Sequence, residues 1–231
     1  MPRGLGRGRV LRLGAVATAV TATVALSHAT ASGSFVGLTG NASDKASSAA
    51  TFCTSAPSTL FSVGDSWTDE TSGATDTNHQ TDLDLRVRSS SAGDRHIWVQ
   101  FVLPAIPDPS HCQLVDATLS LYNKAPVSGR NIDVYRGNPT SRTWTAADIT
   151  WNNEPINPLG PQATNAQTTS TAGWQAWTVT DHVLAQYAGG VNGNNGFLLR
   201  DRTENAATAR EQVYYDRQDA TYSPKLVLTW G

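Results

Sequence analysis

Apolar residues recur at every second position over most of the chain from Val63 onward. Leu83, Leu85 and Val87 alternate with Asp84, Arg86 and Arg88. After a turn from Ser89 to Asp94, Ile97, Val99 and Phe101 alternate with His96, Trp98 and Gln100. A period of two marks a half-buried strand, so these two runs predict a hairpin with one apolar face. Val115, Ala117, Leu119 and Leu121 predict a longer strand. Ile132 with Val134, Trp177 with Val179, Phe197 with Leu199, Val213 with Tyr215, and Leu226, Leu228 and Trp230 predict further ones. One stretch, from Asp181 to Ala188, has helical spacing instead: Val183, Leu184 and Tyr187 share a face, and Thr180 or Asp181 can cap it. Many short alternating strands with one short helix predict an all-β fold, an antiparallel two-sheet β-sandwich of jelly-roll type, in a single domain over residues 63–231. No internal repeat divides it.

The densest aromatic stretch is Trp144 to Pro155, WTAADITWNNEP. Ile149 to Trp151 reads as the entry of a strand, because β-branched and aromatic residues suit a pleated surface. Asn152, Asn153 and Pro155 then stop it. Trp144 and Trp151 are expected to plug one end of the sandwich, their indole N–H groups taking partners from the turn.

Upstream of the strands the pattern changes. Arg3, Arg7, Arg9 and Arg12 precede an apolar run from Leu13 to Leu26 and an Ala29-Thr30-Ala31 exit, the layout of a secretory signal peptide over residues 1–31, too short for a membrane span. Its removal takes four of the 17 basic residues and none of the 19 acidic ones, which moves the net charge from −2 to −6. An acidic mature chain argues against a nucleic-acid partner, since that binding rests on Lys and Arg neutralising phosphates. Residues 32–62 are rich in Ser, Ala and Thr and read as an extended lead-in. Within it, GSFVGLTGN resembles the mature start of surface proteins exported by the SipW-type signal peptidase. Cys53 and Cys112 make an even count in an exported chain, so a disulfide is expected. It closes a loop of about 60 residues and is worth roughly 4 kcal/mol in the chain-entropy model.

No motif of a known catalytic centre is present: there is no G-x-S-x-G, H-E-x-x-H, phosphate-binding glycine loop or Cys-x-x-Cys. The five histidines are scattered, so no metal or other cofactor is expected. Asp65, Asp69, Glu70 and Asp76 supply carboxylates of the kind calcium takes, but without the spacing of an EF-hand loop. The candidate ligand-binding residues are Arg86, Arg88, His96 and Trp98. If Val87 pairs with Ile97, Arg86 lies opposite Trp98 and Arg88 opposite His96 on the outward face, an aromatic plane beside two guanidinium forks. The same arrangement serves equally as a surface cation–π pair covering the sheet. Tyr122 and Tyr135, at outward parity on other strands, extend this groove or pack under a loop.

The ordered set WTAADITWNNEP, WTVTDHV from Trp177, NNGFLL from Asn194 to Leu199 and SPKLVL from Ser223 to Leu228 resembles the DNRLRE-domain family, grouped with carbohydrate-binding module family 96. The resemblance runs from about Val63 to Trp230. It departs at the string that names the family, where this chain has RDRTENA from Arg200 to Ala206. It implies a secreted, non-catalytic module that binds a polysaccharide, and the Arg and His patch suggests an acidic one. Two other readings compete with it: a structural or adhesive subunit assembling at the cell surface, and a polysaccharide lyase.

Overall fold

The computed structural model describes residues 52–155, 158–164, 167–190 and 193–231. The leader, the apolar segment of Phe35 to Leu38 and Asn192 lie outside the described residues. In chain order the elements are β1 (Ser58–Phe61), β2 (Gly64–Asp69), β3 (Asp84–Ser89), β4 (Arg95–Gln100), β5 (Leu114–Ala125) and β6 (Ile132–Arg136). A 3-10 turn (Trp151–Asn153), β7 (Leu159–Thr164), β8 (Gly173–Thr178), α1 (Thr180–Ala188), β9 (Phe197–Asp201), β10 (Arg210–Tyr215) and β11 (Lys225–Trp230) follow.

Two antiparallel layers form an all-β sandwich. In sheet I, β5 is long enough to hold two partners on one edge: β11 along its first part and β10 along its second. β8 lies on its other edge, and β1 and β3 extend the layer beyond β11 and β10. Sheet II runs β2-β4-β9-β6-β7. Alternate residues of both layers meet between them: Leu85, Val87, Ala117, Leu119, Leu121, Trp177, Leu226 and Leu228 from sheet I, and Ile97, Val99, Ile132, Val134, Phe197 and Leu199 from sheet II. Trp177 carries its indole N–H across the gap to the carbonyl of Ile132 at 2.7 Å, which satisfies the polar atom that a buried tryptophan brings with it.

Several local expectations are corrected. β1 lies inside the stretch assigned to the lead-in and pairs with β11 over Ser58 to Phe61. On β10 the buried residues are Gln212 and Tyr214, while Val213 and Tyr215 point outward. The apolar body of Tyr214 enters the core because its hydroxyl finds Gln175. The helix begins at Thr180 without a side-chain cap, since the Thr180 hydroxyl instead accepts the Ala117 N–H of β5 at 2.9 Å. The face it buries carries His182, Val183 and Gln186, with Leu184 exposed.

Cys53 and Cys112 are bonded. Cys53 packs against the core, and Gln113, next to Cys112, exchanges two backbone hydrogen bonds with Gly231. The bridge therefore ties the start of the domain to the strand pair that closes it. Cys112→Ala is expected to lower the melting temperature by about 5–15 °C, from the usual 2–5 kcal/mol of a native disulfide. Calorimetry of the variant checks this, and native protein should show no thiol toward a thiol reagent.

Candidate functional site

The hairpin that was to build the ligand patch does not lie in one sheet. β3 and β4 meet at a single pair, Arg88 opposite Arg95, one residue out of the Val87–Ile97 register. Beyond it β3 bends into sheet I and β4 into sheet II. The turn between them is folded tightly: Gly93 has φ 130°, and a Cβ there would come within 2.6 Å of the Thr71 nitrogen. Arg86 and Arg88 thus sit at the corner of the sandwich with their forks occupied. Arg86 bonds Glu211 at 2.8 Å and Asp84 at 3.0 Å; Arg88 bonds the Gly93 carbonyl at 2.9 Å and reaches Asp69 at 3.4 Å. Arg95 completes the network through Asp69 at 2.8 Å and Glu211 at 2.7 Å.

His96 and Trp98 face away from the main core, as alternation demands, but neither reaches solvent. Trp98 is 0% exposed, which corrects its placement as an outward stacking plane. The stretch from Trp144 to Pro155 folds over the outer face of sheet II. Trp98, Trp144, Ile149 and Leu198 form a second small core there, with Trp144 edge-on to Trp98 at 5.5 Å. Glu154 anchors this cover by accepting the Trp98 indole N–H at 2.9 Å, the Thr68 hydroxyl at 2.9 Å and the His96 Nδ1–H at 3.0 Å. The stretch covers a face of the sandwich and not an end. Ile149 to Trp151 are no strand. Asn78 holds the Ala146 and Ile149 carbonyls at 2.8 Å each, and Trp151 starts the 3-10 turn. Trp144 is buried, whereas Trp151 is half-buried and leans on the His96 ring at 4.6 Å. Pro155 is buried, and exposed Asn152 bonds Asp76 at 2.8 Å.

The imidazole of His96 joins two carboxylates, since its Nε2–H meets Glu204 at 2.9 Å. Burial by itself lowers its pKa, but the charge and hydrogen bond of Glu154 and those of Glu204 outweigh that and raise it to about 9, so the ring is an imidazolium at neutral pH. Glu204 is held below the usual carboxylate range, first by its hydrogen bond from His96. Glu204 belongs to the RDRTENA stretch, which staples strands throughout: Asp201 takes both prongs of Arg130 at 2.8 and 2.7 Å, and Arg202 grips Asp133 at 3.0 and 2.9 Å.

The outer face of sheet I is different. Tyr122 of β5, Trp174 of β8, Tyr215 of β10 and Tyr222 before β11 gather into one ring cluster, with centroids 4.1 Å apart for Tyr122 and Tyr222 and 5.0 Å for Tyr215 and Tyr222. Trp174 is 41% exposed, with the Lys225 ammonium 3.9 Å from its centroid. Lys124 sits 4.6 Å over Tyr215 and pairs with Asp84, which also meets Arg86. Across the β8 edge from the Trp174 ring opens a cleft of about 250 Å³ lined by Asn123, Gln167, Thr169, Thr171, Gln175 and the β8 backbone, with Asn123 and Gln175 at the inward parity of Leu121. A Cβ on Gly173 would meet nothing within 4 Å. Thr168 fixes the cleft's wall, exchanging N–H and carbonyl bonds of 2.8 Å with Arg130 and Gly129. Of this face the sequence offered only Tyr122. Trp174 stands three residues before Trp177 and so at opposite parity, Tyr215 shares the parity of Val213, and Tyr222 lies in a turn. Tyr135, the other aromatic expected here, is on sheet II under Arg200, 4.7 Å from its guanidinium carbon.

Three of the four carboxylates considered for calcium are held by other partners. Asp69 binds Arg95 and the Thr71 N–H, Glu70 accepts the Asp94 N–H at 2.9 Å, and Asp76 holds Asn152. Among the described residues no group of three or more His, Cys, Asp and Glu side chains could hold a metal.

Two outcomes are expected. Because the folded pKa of His96 lies above its ordinary 6.5, its stabilisation is complete below about pH 6.5 and is lost as pH rises through about 9. Melting temperature should fall by several degrees across that window, and His96→Gln should flatten the upper part of the fall. Urea denaturation should separate the two tryptophans: Trp144→Ala costs roughly 3–5 kcal/mol as a core truncation, and Trp151→Ala only about 1 kcal/mol, the scale of one aromatic contact.

No curated protein matches this chain. Residues 56–230 match the model of carbohydrate-binding module family 96, an interval that contains every strand from β1 to β11. With both sheets and the ring-bearing face inside that match, the chain belongs to carbohydrate-binding module family 96.

Proposed function

We propose that the chain is an exported, non-catalytic module that holds an acidic polysaccharide along the β8 edge of sheet I, between the Trp174 ring on the outer face and the cleft on the other side of that strand. The observation that carries this is the pairing of an exposed indole with a polar cleft on one rigid strand. Sugar C–H faces pack on flat rings, while amides and hydroxyls satisfy sugar hydroxyls. Gln175 has its carboxamide oxygen engaged by the Tyr214 hydroxyl, so its NH2 is the group left to donate. The other outer face is covered by the Trp144–Pro155 stretch, which leaves this one for a ligand.

Acidic preference follows from Lys225. Lys124 and Arg86 share Asp84, whereas among the described residues Lys225 has no carboxylate within ion-pair distance and stands over the Trp174 ring. It is placed to meet a uronate or sulfate carried by a sugar at that ring. Of the four candidate residues, Arg86 flanks this face, while Arg88, His96 and Trp98 serve the corner and the cover.

Titration calorimetry with uronate-rich and neutral polysaccharides at matched ionic strength tests the proposal. Trp174→Ala is expected to weaken binding about tenfold, about 1.4 kcal/mol, with little change in melting temperature. Lys225→Gln should weaken only the uronate-rich ligand. Equal binding by wild type and Trp174→Ala moves the site elsewhere, and absence of glycan binding by the wild type supports the adhesive-subunit alternative.

A further inference from the structure

Where β2 leaves the Ser62 turn and β10 runs into the turn from Asp216 to Tyr222, two carboxylates are withdrawn from solvent together. Asp65 is 1% exposed and Asp216 2%. Asp65 shares the parity of Trp67 and lies opposite Val99, so it points into the end of the sandwich. Its Oδ2 accepts the Arg217 backbone N–H at 2.8 Å, and its Oδ1 is 3.5 Å from Arg217 Nε. The Ser62 hydroxyl is also within reach of it. Asp216 accepts backbone N–H groups of Gln218 and Asp219, yet its buried Oδ2 has no partner among the described residues. One guanidinium, itself partly exposed, therefore faces two buried carboxylates, and an acceptor oxygen is left bare. A buried polar atom costs free energy when unpaired, and an uncompensated buried charge costs more.

We propose that Asp65 and Asp216 bind a divalent cation of the hard class, calcium foremost, which takes up the bare Oδ2 and the unbalanced charge. The donors at hand are all oxygen: two carboxylates and the Ser62 hydroxyl, with main-chain carbonyls and water to complete the shell. That set suits calcium or magnesium and not zinc or copper, which favour imidazole and thiolate. Two carboxylates make a weak site, in the range of about 10⁻⁴–10⁻³ M found for extracellular modules. The site ties β2 to the turn that carries Tyr215 and Tyr222, so it would also brace the ring cluster; that consequence alone rests on the proposed glycan face.

The test is calcium chloride titrated into chelator-treated full chain at pH 8, by calorimetry and by melting temperature. One equivalent should bind, and 5 mM calcium should raise the melting temperature by about 2–5 °C. Asp216→Asn should weaken binding at least tenfold. Arg217→Gln, which keeps both carboxylates and removes the competing cation, should tighten it severalfold and guards against a variant that fails merely by unfolding. Absence of binding by calcium, magnesium and manganese at 10 mM would overturn the proposal. These readouts are independent of glycan binding and separate this site from the Trp174 cleft.

Discussion

A two-sheet sandwich has two outer faces, and in this chain the Glu154 carboxylate decides which of them meets solvent. An indole N–H, a threonine hydroxyl and an imidazolium converge on it from β2 and β4. Each of these bonds has a charged partner and is partly sheltered from water, where such bonds are strongest. They hold the Trp144–Pro155 stretch down on sheet II, so Trp98 and Leu198, which outward parity would expose, become core. Without that anchor sheet II would present a broad apolar surface.

The corner between the sheets is governed by charge. Arg86, Arg88 and Arg95 interlock with Asp69, Asp84 and Glu211, and Trp67 lies beneath Arg95 at 4.8 Å with His79 stacked on it at 3.5 Å. A guanidinium whose prongs are already bonded has little left for a ligand, so a cluster of arginines in the sequence does not amount to a binding patch. Lys225 differs because its neighbour is a ring and not a carboxylate.

The ring cluster depends on turns as much as on strands. Tyr215 ends β10, Asp216 opens the following turn, and Asp219 caps it by accepting the Thr221 and Tyr222 N–H groups at 2.9 and 2.7 Å. The buried Asp65–Asp216 pair thus lies directly behind the segment that presents Tyr215 and Tyr222. Stability at that end of the sandwich and the order of the ring-bearing face are linked through one short piece of backbone.

Periodicity determined the all-β class, most strands and the helix, the cysteine count the Cys53–Cys112 bond, and the ordered motifs from Trp144 to Leu228 the family, because each of these is a local or compositional signal. Three of the places where it failed share one cause. The β3–β4 register, the inward face of β10 and the fate of Trp98 are each set by groups distant in sequence: the bend of the hairpin across two sheets, the Gln175 partner of Tyr214, and a covering stretch some 50 residues away. Alternation says which residues share a face, but not whether another segment lies on that face. Tyr122, Trp174, Tyr215 and Tyr222 come from three strands and a turn, so only the tertiary fold could bring them together, as only it could set Asp65 beside Asp216 across 151 residues of chain.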